Sequence, residues 1–158
     1  MDSSHSHRID VVNETKQRVR VTPLKHALAV TLTHHRRENA EVYVLLTDDE
    51  RMCRLNSQFR GIEQSTDVLS FPGGEFPNSP LGDIAISIPY ARKQADEHGA
   101  ALETELGYLA IHGCLHLLGF DDETFDDRAR MIAEMLEIAE KVGLPEDPYW
   151  QTTLGSST

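Results

Sequence analysis

Two histidines, His112 and His116, stand four residues apart in a segment that reads as helix. At about 100° per residue, positions four apart lie about 40° from one another, so both imidazoles share one face. Both can then reach a single metal ion without any bend in the backbone. Gly119 follows where a helix can end in a left-handed turn. The chain doubles back after it and presents Asp121 or Asp122 to the open side of the same ion. Three protein ligands and a free position are what hydrolytic zinc chemistry requires. Cys114 lies between the histidines but about 200° around the helix from His112, which makes it a buried thiol rather than a ligand.

The elements that must position these residues follow from pattern. Ile9–Asn13, Glu41–Thr47, Asp67–Phe71 and Gly82–Ile88 read as strands, and the nearly continuous apolar character of the second places it centrally in a sheet. Helices are expected from Pro23 to about Arg37 with Thr22 as cap, and from the Thr47-Asp48-Asp49-Glu50 start to about Gln58. Met52 and Leu55 form the buried side of the second of these, with Cys53 beside them. Further helices run from Pro89 to His98, with Gly99 as stop, and from Arg130 to Val142. The ligand helix, Leu102 to Leu118, carries apolar residues on more than one side, which implies deep burial. Pro72 to Pro80 is a loop of a length that suits an antiparallel pair. The expected fold class is α+β: a mixed sheet of about four strands covered by helices, with the metal site on a long buried helix and the turn after it.

Composition sets outer bounds. The 158 residues suit one domain, 1–158, with about 1–7 and 151–158 disordered. No apolar run approaches the roughly 20 residues of a membrane span. Two cysteines far apart, Cys53 and Cys114, and a terminus without the features of a signal peptide point to a reducing cytoplasm. The net charge of −11 argues against a broad, sequence-independent grip on nucleic acid. A local basic surface is still available, because Arg18, Arg20, Lys25, Arg36, Arg37, Arg51, Arg54 and Arg60 crowd the first part of the chain while acids gather after position 96.

The assembled motifs resemble the YbeY-type family, bacterial metal-dependent endoribonucleases that mature ribosomal RNA. Its signature, histidine-glycine-x-leucine-histidine-x-x-glycine-x-aspartate-histidine, is matched from His112 to Asp121. Asn56–Arg60, Ser65–Pro72 and Leu81–Ile86 resemble three further blocks of the family in the same order, so the likeness runs from about residue 8 to 142. It implies a single-strand-specific endoribonuclease acting in ribosomal RNA maturation and ribosome quality control. It also implies one zinc ion, or another divalent transition metal, per chain, with ribosomal RNA and the ribosome or ribosomal proteins as partners. The implied metal ligands are His112, His116 and Asp122; the implied catalytic residues are Arg60, His112 and His116.

One departure stands out: Asp122 occupies the position of the family's third histidine. A carboxylate oxygen binds zinc at much the same distance as an imidazole nitrogen, but two histidines with one carboxylate also suit iron. Alternatively Asp122 caps the next helix, and Asp121 or solvent completes the site. Arg60 is expected to meet the scissile phosphate through its guanidinium fork, or else to pair with Glu63 or Asp67. Ser70 and Ser87 either line the cleft or satisfy backbone. Glu105, seven residues before His112 on the same face, is read either as an orienting partner for a ligand or as surface.

The histidine spacing also resembles that of metzincin proteases, which place a glutamate base directly after the first histidine. Gly113 stands there and moves no proton, which argues against a peptidase. Two other readings stay open: a non-catalytic ribosome-assembly factor with a structural metal, and a zinc hydrolase of another substrate. No residue stands out as the general base.

Overall fold

A computed structural model of the chain describes residues 7–152 apart from 75 and 77. Its elements in order are β1 (Arg8–Asn13), α1 (Thr22–His34), β2 (Glu41–Thr47), α2 (Asp49–Arg60), β3 (Val68–Pro72), β4 (Gly82–Ser87), α3 (Ile88–His98), α4 (Leu102–Leu117), α5 (Phe125–Val142) and α6 (Pro148–Thr152). The strands form one sheet in the order β1-β2-β4-β3. β1, β2 and β4 run parallel, in a register that sets Val44 beside Val11 and Ile84. β3 closes the edge antiparallel to β4, with Ser70 opposite Ile84. The fold is therefore α+β with a mixed sheet, and β2 is interior.

Alternation along β2 and β4 decides what each face of the sheet meets. Val42, Val44, Leu46, Ile84 and Ile86 turn to one side and are buried there with Leu24, Leu28 and Leu32 of α1 and Leu106, Leu109 and Leu115 of α4. Ala85 and Leu69 turn to the other side, against Met52 of α2, with Leu45, Leu55 and Phe71 at the margin. Period two in the strands thus feeds two apolar layers at once.

Helix α4 is the axis of the larger layer. It packs against α1, α3, α5, β3 and β4, and nearly every residue from Glu105 to Leu115 is buried. A helix buried on all sides has no polar stripe, which matches its apolar sequence. Gly113 lets it approach the sheet: a Cβ there would meet Ile84 Cγ2 at 3.0 Å, Ser70 Oγ at 3.2 Å and Val68 Cγ2 at 3.2 Å. Ser70 Oγ donates to the Gly113 carbonyl at 2.9 Å across the same gap, so strand and helix are held by polar as well as apolar contact.

The caps follow local chemistry. Asp48 accepts from the Arg51 N–H at the start of α2, and Ser87 from the Tyr90 N–H at the start of α3. Two boundaries differ from expectation. α1 begins at Thr22 behind Val21, which makes no side-chain cap bond, so Thr22 is inside the helix rather than its cap. α5 begins at Phe125, five residues before Arg130, because Thr124 accepts from the Asp127 N–H and nucleates an acidic first turn.

The expected disorder over residues 1–7 and 151–158 falls largely outside the described residues. At its inner ends, His7 Nδ1 accepts from the Ala40 N–H at 3.2 Å, and Gln151 belongs to α6. Trp150 of α6 is fully buried. Its ring stacks on Tyr108 of α4 with centroids 5.6 Å apart.

Candidate metal centre and cleft

His112 and His116 project from the last two turns of α4, and their Nε2 atoms stand 3.0 Å apart. Asp122 Oδ2 lies 3.5 Å from His116 Nε2 and 3.9 Å from His112 Nε2. Neighbouring ligands on a zinc ion bound at 2.0–2.1 Å would be about 3.4 Å apart, so this spacing fits a shared cation. His112 is almost wholly buried, whereas His116 is 29% exposed and Asp122 18%.

The turn that brings Asp122 back is fixed by backbone bonds. Phe120 N–H donates to the Leu115 carbonyl at 2.9 Å and Gly119 N–H to that of His116 at 3.0 Å, with Gly119 at φ +102°. This paired termination needs a left-handed residue, which glycine supplies without strain. The Phe120 carbonyl then lies 3.0 Å from His116 Nδ1. That contact selects the tautomer with its proton on Nδ1 and leaves the Nε2 lone pair turned toward Asp122.

The two aspartates divide the work. Asp121 Oδ1 accepts from the backbone N–H groups of Asp122 and Glu123, at 2.7 and 3.2 Å, and so shapes the turn. α5 has its own cap in Thr124. Asp122 is therefore not a helix cap, and its side chain faces the imidazoles.

Electrostatics prepares the donors. Burial, with a smaller contribution from His116, pushes His112 down to about 3, against the opposing pull of Asp122. A neutral imidazole results. The His116 imidazole holds the Asp122 carboxyl below its ordinary value, outweighing the rise that partial burial causes. Cys114 is fully buried, and burial pushes its thiol up to about 12, as suits a packed residue that takes no part in the site.

A cleft of about 240 Å³ opens over these groups, bounded by Arg60, Val68, Leu69, Ser70, His112, His116, Asp121, Asp122 and Glu123. Arg60, the last residue of α2, stands exposed at its rim, and no ion pair to Glu63 or Asp67 occurs among the described residues. Ser70 lines the cleft but spends its proton on Gly113. Ser87 lies elsewhere, capping α3 and bonding Asp49.

The comparisons with known proteins decide the family. The family model described as Endoribonuclease YbeY matches residues 6–143. The chain belongs to the YbeY endoribonuclease family. Among curated members, the Endoribonuclease YbeY of Nautilia profundicola is 49% identical over 105 residues, covering 66% of this chain and 74% of that protein. The one from Persephonella marina is 43% identical over 113 residues, covering 69% and 74%. A Thermotoga maritima protein solved in solution superposes with a TM-score of 0.62 at 30% identity, over 85% of this chain and 88% of that one. The YbeY fold thus accounts for the sheet order and for the place of α4 within it.

Two features of this YbeY member escaped sequence reasoning. Glu105 is not at the surface: it is fully buried and accepts from Trp150 Nε1 at 3.4 Å. Asp67 is also fully buried, and burial pushes its carboxyl up to about 6 against bonds from the Val68 N–H, Thr66 and Gln94. The basic surface is partly spent as well, since Arg51 pairs with Glu14 and Arg54 with Glu50.

Proposed function

We propose that residues 1–158 act as one metal-dependent endoribonuclease domain that cleaves single-stranded RNA. Its setting is ribosomal RNA maturation and ribosome quality control in the cytoplasm, in contact with the ribosome or its proteins. The observation that carries this reading is the convergence of two imidazole nitrogens and one carboxylate on the floor of a cleft with an exposed guanidinium at its rim. Family membership and relatives named as endoribonucleases support it. No helix among the described residues is long and apolar enough to cross a membrane.

His112, His116 and Asp122 would hold the metal, with zinc as the first candidate. The donor set fits: two neutral nitrogens and one anionic oxygen, with spacings in the range zinc ligands need. Bound there, the metal would supply Lewis-acid chemistry toward water and the phosphoryl group. Asp122 adds a negative charge that a third histidine would not, which favours retention of the cation and makes its water less acidic.

Arg60 binds and orients the phosphodiester, two N–H groups meeting two phosphate oxygens and offsetting charge that builds on them. The Phe120 carbonyl keeps the His116 ring in its plane. Val68 and Leu69 give the cleft one apolar wall. With Gly113 facing β3 and β4, no side chain at that position serves a peptidase. Three donors facing an open cleft, rather than a closed set of four, support an enzyme over an assembly factor with a structural metal.

The test is direct. Purified protein, with and without chelator, is incubated with single-stranded RNA, duplex RNA and casein. Chelator-sensitive cleavage of the single strand alone is expected. Cleavage of casein, or RNA cleavage indifferent to chelator, would overturn the proposal.

A further inference from the structure

A second group of donors lies two turns back along α4, away from the cleft. Glu105 is fully buried and Asp147 is 5% exposed. The His98 side chain, at the end of α3, is 10% exposed. His98 Nδ1 stands 3.4 Å from Glu105 Oε1 and 3.5 Å from Asp147 Oδ2. The ligand atoms of all three residues lie within 4.8 Å of one another. The two separations from His98 match the roughly 3.4 Å edge of a zinc tetrahedron.

Each donor is held in place by a neighbour. Tyr149 packs its ring on the His98 imidazole with centroids 3.9 Å apart. Trp150 Nε1–H donates to Glu105 Oε1. Tyr149 N–H donates to Asp147 Oδ1 at 3.0 Å, leaving Oδ2 turned toward His98. Glu105 Oε2 and Asp147 Oδ2 are buried without a hydrogen-bond partner among the described residues. Two buried carboxyl groups so close, each with an unsatisfied oxygen, carry a desolvation cost that a bound cation would offset. Burial first, and then the nearby Asp147 and Asp67 carboxylates, push Glu105 up to about 8 despite the Trp150 bond.

The surroundings admit a cation. A hollow of about 230 Å³ bounded by His98, Thr104, Pro145 and Asp147 opens beside the group, and no lysine or arginine lines it. The other histidine cluster outside the cleft, His34, His35 and Glu134, lacks this quality, because Lys141 Nζ sits 2.7 Å from His34 Nδ1.

We infer that His98, Glu105 and Asp147 form a second divalent-metal site, suited to zinc, that ties α3, α4 and the segment leading into α6. One imidazole and two carboxylates would neutralise a divalent ion completely. Its place beneath Trp150, whose ring edge meets His112 with centroids 6.0 Å apart, makes it a brace for the cleft rather than a reaction centre.

The test titrates Co²⁺ alone into the full chain under equilibrium dialysis, with visible absorption to report coordination. Wild type should bind two equivalents, and His116→Ala and Glu105→Gln one each. The His116→Ala/Glu105→Gln double variant should bind none, and Asp147→Asn should behave as Glu105→Gln does. Co²⁺ should also raise the melting temperature of His116→Ala and leave that of the double variant unmoved. If the equivalent retained by His116→Ala is indifferent to both Glu105→Gln and Asp147→Asn, the inference falls. It falls equally if wild type binds one equivalent and His116→Ala abolishes it. One equivalent that Glu105→Gln removes and His116→Ala spares would uphold this site and sink the one in the cleft.

Discussion

Trp150 and His112 meet edge to face with ring centroids 6.0 Å apart, although 38 residues separate them in the chain. The same indole stacks on Tyr108 and donates to Glu105, so one side chain from a five-residue helix touches α4 at three successive levels. Helix α4 is thus fixed from behind by a residue that does not line the cleft.

Trp150→Ala should therefore do two things. Removing a fully buried indole is expected to cost about 3–5 kcal/mol, measured by urea unfolding. Metal affinity in the cleft should fall as well, because the His112 ring loses the surface against which it rests. Trp150→Phe keeps the aromatic stack without the Glu105 bond and should show a smaller loss of both. Equal effects from the two substitutions would refute this account.

At Asp122, alanine should weaken zinc binding by more than the roughly 10–100-fold cost of deleting an outer-shell partner. Asp122→His should preserve or tighten it. Asp121→Ala should act on the turn, with a modest loss of stability and a smaller change in affinity. Competition against a chromogenic chelator separates the three, and an Asp121→Ala loss larger than that of Asp122→Ala would reverse the assignment.

Arg60→Glu should abolish RNA cleavage while changing stability by no more than about 0.5 kcal/mol, as expected for an exposed residue with no ion pair among the described residues. Arg60→Lys keeps the charge but loses the fork, so a partial rate is expected. Single-turnover cleavage beside a thermal melt reads both effects. Full cleavage by Arg60→Glu would remove the residue from the mechanism.

Asp67 should give stability a pH dependence of defined sign. Its folded pKa is raised from 3.8 to about 6, chiefly by burial. Between those values the folded chain holds more protons than the unfolded one, so this contribution declines as pH rises through the window and is fully lost above it. The shift corresponds to roughly 3 kcal/mol. Asp67→Asn keeps an oxygen for Val68 and Thr66, and its denaturation profile should be flatter over about pH 4 to 6. An unchanged slope would exclude Asp67 as its source.

What was legible in the sequence was local. The four-residue histidine spacing, the Gly119 turn and an N-cap within Thr47-Asp48-Asp49-Glu50 depend on neighbours within a turn or two, and pattern reads those. The start of α5 was missed because Phe125 is exposed and precedes an acidic pair, which hid the Thr124 cap. Glu105 was read as surface or as partner to a cleft ligand because helical phase gives only its face. What covers that face arrives from His98 and from Asp147 and Trp150, the latter two more than forty residues along the chain. Burial of Asp67 was hidden for the same reason: it depends on Gln94 of α3, which bonds its carboxyl, and on α4 packing against β3. The choice between Asp121 and Asp122 needed the turn's hydrogen bonds, since two adjacent carboxylates look alike in sequence.

The tight seating of Gly113 against Ile84, Val68 and Ser70 bears on how this scaffold can diversify. Converting it to proteolysis would take an acidic base next to the first imidazole, and the residue so placed accepts a side chain only if Ile84, Ser70 and Val68 give way. A single substitution there would press α4 against the sheet and strain the placement of His112 at the moment it supplied the base. Descent toward peptide cleavage would have to begin by remodelling Val68 and Ile84, two residues with no chemical role in either reaction.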